Sequence, residues 1–69
     1  MTIKVNKRIR GMVSGSIGTI VDVEIDKKGN RCAIVEWKDG RRGISRTKEL
    51  FSHLDWMLRK GGLVEVKDA

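Results

Sequence analysis

Apolar and polar residues alternate along the first two-thirds of the chain and then change period. From Ile17 to Asp26 the order is "IGTIVDVEID". On an extended chain Ile17, Thr19, Val21, Val23 and Ile25 share one face, expected to be buried. Asp22, Glu24 and Asp26 take the other, expected to be wet. Before it, "KRIRGMV" (Lys7 to Val13) mixes basic and apolar residues and predicts a first strand. "KKGN" is a turn signal, and "RCAIVEW" (Arg31 to Trp37) predicts the return strand of a hairpin. Asp39-Gly40 is a tight-turn dipeptide, and "RGIS" (Arg42 to Ser45) predicts a short fourth strand.

The period then lengthens. In "TKELFSHLDWMLRKGG" the residues Leu50, Phe51, Leu54, Met57 and Leu58 recur at helical spacing and predict an amphipathic helix over about 47–60. Thr47 or Ser45 would cap its start, Arg59 and Lys60 suit the negative end of its dipole, and Gly61 would stop it. "GLVEVK" predicts a last short strand. The expected architecture is mainly β (α+β): about five short strands curling into a small barrel, with one helix near the C-terminus. No repeat, no low-complexity linker and no proline divides the 69 residues, so 1–69 reads as a single domain.

Glycines punctuate the first hairpin. Gly15 suits a left-handed turn position. Gly18 suits either a bulge or a close backbone approach. The stretch "RIRGMVSGSIGTIVDVEID" resembles the opening hairpin of KOW-type and related SH3-like small β-barrels, in which a basic strand leads into G-x-x-G-x-[IV]. Gly15-Ser16-Ile17-Gly18-Thr19-Ile20 fits that form, and "AIVEWKDGRRGISRTKEL" is similar to the continuation, so the likeness spans about residues 7–50. It implies a binding module acting on RNA, DNA, the ribosome or RNA polymerase. The helix that follows "EL" departs from the pattern.

Charge sharpens this expectation. Fifteen Lys and Arg stand against nine Asp and Glu, a net charge of +6, which on a small domain favours a polyanionic partner. Lys7, Arg8 and Arg10 with Arg41, Arg42 and Arg46 are the expected nucleic-acid contacts, because Arg forks onto phosphate. Lys27 and Lys28 belong to a turn at the opposite end and read equally well as solvated charge. Only Phe51, Trp37 and Trp56 are aromatic, too few for a base-stacking platform, so backbone contacts or a protein partner are favoured. Trp56 falls off the helix's apolar stripe: it packs under the last strand, or, exposed, it stacks on a base or anchors a protein interface together with Arg59 and Lys60.

Catalysis finds little support. A single His53 and a single Cys32 are too few soft donors for a metal, and no P-loop, nucleophile elbow or dinucleotide fingerprint is present. The expectation is a non-enzymatic module with no cofactor, no metal and no membrane association. It would be a monomer or weak homo-oligomer in the cytoplasm, where a lone cysteine stays reduced. The leading function is nucleic-acid binding in transcription or translation. The alternative is a protein-interaction module or small inhibitor, of phage type, regulating a larger host machine such as RNA polymerase or the ribosome.

Overall fold

The computed structural model describes residues 3–39 and 43–66. Five strands and one helix follow in the order β1 (Arg8–Gly11), β2 (Ile17–Ile25), β3 (Arg31–Asp39), β4 (Gly43–Leu50), α1 (Phe51–Lys60) and β5 (Leu63–Val66). All ladders are antiparallel, and the strands lie side by side as β4-β3-β2-β1-β5. The mainly β fold with one helix near the C-terminus is therefore present. No ladder among the described residues joins β4 to β5; α1 packs against β5, β4 and β3.

One core occupies the inner face. Ile9 of β1, Ile20 of β2, Ala33 and Val35 of β3, Leu54 of α1 and Leu63 of β5 are buried together, with Trp37, Phe51 and Met57 packed against them. The burial of Leu54 at one position per helical repeat anchors α1; its neighbours on the outer side stay wet.

The β2 face differs from the expected alternation. Ile20 pairs with Val35, but Asp22 pairs with Ile34, so Val21 is the extra residue of a bulge. A bulge shifts parity by one. Gly18 and Ile20 therefore point inward, while Ile17 and Thr19, expected in the core, lie on the outer face and are half-buried. Beyond the bulge, Val23 and Ile25 regain the inner parity but run past the core, Ile25 being 69% exposed. The bulge thus keeps Ile20 inside and Asp22 and Glu24 outside, which no unbroken strand could do.

The two glycines of the opening hairpin have separate causes. Gly15 sits at φ 73 in the β1–β2 loop, and its N–H donates to the Gly11 carbonyl at 2.8 Å. Gly18 is a close approach and not the bulge: a Cβ there would stand 2.7 Å from Val35 Cγ1 and 2.8 Å from Trp37 ring carbons.

Helix α1 starts later than the spacing predicts. Ser45, Thr47 and Leu50 all belong to β4, which pairs with β3 from Asp39↔Gly43 to Cys32↔Leu50. The Trp37 indole N–H donates to Thr47 Oγ1 at 2.8 Å, holding Thr47 extended. Leu50 is the N-cap, with no side-chain cap bond, and is exposed instead of lying on the helical stripe. Nine residues of β3 offer eight of β4 a ladder, and that outweighs the helical propensity of "TKEL". The helix ends where expected, at Gly61, whose N–H bonds the Met57 carbonyl.

Candidate nucleic-acid interface

The register decides which cations share a surface. Residues opposite one another in an antiparallel ladder point to the same side of the sheet. Arg10 lies opposite Val64 and Ile17, Ile17 opposite Lys38, and Lys38 opposite Ile44. One step along, Arg8 lies opposite Val66 and Thr19, Thr19 opposite Glu36, and Glu36 opposite Arg46. These two rows are the outer face, away from the core. With strands about 4.8 Å apart, Arg8 and Arg46 are separated by roughly 14 Å and Arg10 and Lys38 by roughly 10 Å.

Arg8, Arg10 and Arg46, three of the six expected contacts, thus come together on exposed backbone positions of β1 and β4. Lys38 joins them between the two strands. It was legible as basic but not as a neighbour of Arg10, because that relation exists only through the β1–β2–β3 register. Lys7 goes elsewhere: it has the parity of Ile9, and its Nζ pairs with Glu65 Oε1 at 2.7 Å, fastening β5 to the start of β1. Arg41 and Arg42 lie outside the described residues.

The electrostatics are uneven along this face. Among the described residues of these two rows, Glu36 is the one carboxylate beside the cations Arg8, Arg10, Lys38 and Arg46. Glu36 accepts from Arg46, with the Nη2 at 3.0 Å and the Nε at 3.1 Å, a charge-assisted fork. Toward the β2–β3 hairpin the outer face is mixed in charge, with Asp22 and Glu24 beside Lys48, whose Nζ lies 3.8 Å from Glu24. Val64, Ile17 and Ile44 lie between the charges, Ile44 being 64% exposed, so long Arg and Lys stems have apolar surface to lie along.

Lys27 and Lys28 sit at the far end, in a turn organised by Asp26. Its Oδ1 accepts the N–H of Asn30 at 2.8 Å and of Lys28 at 2.9 Å. The backbone N–H of Asn30, first of all, holds the Asp26 carboxyl below its ordinary range.

The helix carries the remaining candidates. Trp56 does not pack under β5: it is 54% exposed, and its ring stacks on His53 with centroids 6.3 Å apart. Arg59 pairs with Asp55 one turn back at 2.9 Å, and Lys60 is exposed in the last turn. Inward of them lies a cavity of about 410 Å³ between the β1–β2 loop, the inner side of β3 and β4, and α1. Val13, Trp37, Leu54 and Met57 give it apolar walls, and Glu49 and His53 stand among its polar groups. The cavity could not be read from the sequence, because Val13, Glu49 and Met57 converge only through tertiary packing.

Among the described residues no group of His, Cys, Asp and Glu could hold a metal, and no helix is long and apolar enough to cross a membrane. Cys32 is a free, buried thiol opposite Leu50. No family model, curated protein or solved structure matches the chain.

Proposed function

We propose that the protein is a non-enzymatic binding module that seats a nucleic-acid backbone on the cationic end of its outer sheet face, in service of transcription or translation. The observation that carries this reading is the register that gathers Arg8, Arg10, Lys38 and Arg46 across β1, β3 and β4 on one face. Arginine forks and lysine point charges spaced this way position a phosphate backbone without reading bases. The scarcity of exposed aromatics supports backbone contact over stacking. The small-barrel resemblance belongs to the same proposal and is supported by the β4-β3-β2-β1-β5 order with a helix packed against β5, β4 and β3. So does a cytoplasmic setting, supported by the unpaired Cys32.

Titration with duplex DNA, single strands and structured RNA at two salt concentrations tests it. Four neutralised phosphates give a salt slope of roughly −3.6 on duplex, or about a hundredfold weaker binding between 50 and 200 mM salt. Salt-independent binding, or none to any of the three, refutes the proposal. A second reading, a protein-interaction module or small regulator of a larger machine, is favoured by the exposed Trp56–His53 stack beside Arg59 and Lys60. Recovery of one stoichiometric protein after nuclease treatment, lost in Trp56→Ala, supports that reading in place of the first.

A further inference from the structure

The long edge of the sheet shares Arg46 with the reading above but offers its backbone, which that reading does not use. β4 spans eight residues, is exposed on almost every side chain, and among the described residues pairs only with β3. None of the loop and turn backbone hydrogen bonds among the described residues engages a β4 group. Its outward N–H and C=O groups therefore form a template for one more strand.

Two features restrict what can pair there. First, Arg46 and Lys48 stand on the outer side of β4, at the rim, while the carboxylates they meet, Glu36 and Glu24, lie behind them on β3 and β2. A second copy would pair antiparallel about a two-fold axis normal to the sheet, which keeps outer faces on the same side. Around the middle of the strand every such register sets Arg46 or Lys48 opposite or diagonal to Arg46 or Lys48 of the other copy, and like charges so placed are destabilising. A strand whose outer side chains are carboxylates is favoured by the same geometry. Second, the inner side of the edge opens on the apolar cavity: Ser45 and Glu49 of β4 line it together with Trp37, Leu54 and Met57. Side chains of an added strand lying opposite Ser45 and Glu49 stand at its mouth, about 5 Å away.

We infer that the edge of β4 accepts an extended, acidic segment of a partner protein as a sixth strand, with alternate apolar side chains of that segment directed into the cavity beside Trp37. Main-chain pairing supplies the attachment, Arg46 and Lys48 select acidic over basic segments, and the cavity selects the apolar alternation.

Synthetic peptides of about nine residues test this, one alternating Glu with Val and one alternating Lys with Val, read by amide hydrogen exchange on the full chain. The Glu peptide should bind and slow exchange at β4 amides. The Lys peptide should bind at least about tenfold more weakly, and Arg46→Glu/Lys48→Glu should reverse that order. Both substituted side chains are solvent-exposed, and far-UV circular dichroism of the double variant checks its fold. Equal binding of both peptides, or binding without β4 protection, overturns the inference. So does protection of β4 that grows with protein concentration alone, which marks a second copy. The outer-face reading stands or falls separately, because it is read on Arg10 and Lys38 with oligonucleotide and no peptide.

Discussion

Replacing Gly18 by alanine adds one carbon at a tight point of the core. That carbon would sit 2.7 Å from Val35 Cγ1 and 2.8 Å from Trp37 Cε3 and Cζ3, where carbon pairs rest at about 3.5–4.0 Å. Relief requires a displacement of roughly 1 Å. Val35 is fully buried, and Trp37 is tethered through its indole to Thr47, so neither gives way freely. Overpacking of this kind costs about 1–3 kcal/mol. Against it, alanine restricts the unfolded chain and returns about 0.5–1 kcal/mol. The net loss is about 1–2 kcal/mol, which for a domain of this size lowers the melting temperature by roughly 5–15 °C. Urea unfolding followed by tryptophan fluorescence should show a lower midpoint with an unchanged slope. In a Val35→Ala background, which removes the Cγ1 in conflict, the same substitution should cost less. Gly15→Ala is the contrast: its space is open, and only the φ of 73 opposes it, a cost of about 1 kcal/mol with no coupling to Val35. A Gly18→Ala protein as stable as the parent, or one whose loss ignores Val35→Ala, refutes the close-approach account.

Leu54→Ala removes the one fully buried helix side chain and should cost about 2–4 kcal/mol, enough in a 69-residue chain to abolish a cooperative thermal transition. Asp26 has a folded-state pKa below its unfolded value, so its contribution to stability is present above the unfolded pKa and is lost as pH falls through the folded one. Asp26→Asn should therefore flatten the acid limb of the stability–pH curve, and an unchanged limb would show that the β2–β3 turn does not depend on that carboxylate. Glu36→Gln releases Arg46 from its fork and should tighten oligonucleotide binding severalfold, read by fluorescence anisotropy, with no loss of fold; weaker binding would mean that the Glu36 carboxylate orients Arg46 productively. Trp56→Ala should leave the melting temperature within about 2 °C, since the side chain touches only His53 among the ring contacts of the described residues.

Local chemistry made much of the fold legible. The turn at "KKGN", the stop at Gly61 and the reversal at Gly15 each depend on residues adjacent in sequence, and all three fall where expected. The failures are of another kind. The side of β2 that faces the core depends on a bulge, and nothing in "IGTIVDVEID" distinguishes an unbroken alternation from one interrupted at Val21. Thr47 to Leu50 satisfies helical spacing and strand pairing alike, and the length of β3 decides between them. The site shows the same division. Clusters of Arg and Lys are visible in sequence, but Lys38 joins Arg10, and Lys7 leaves for Glu65, only once three strands are in register.

The most direct test of the outer-face account is the salt dependence of duplex binding for the parent and for Arg10→Ala/Lys38→Ala. Both side chains are exposed and make no ion pair among the described residues, so the fold should be unaffected. The account predicts weaker binding and a log–log salt slope smaller in magnitude by about 1.8, two phosphate contacts' worth. A parental slope and affinity in the double variant would contradict it.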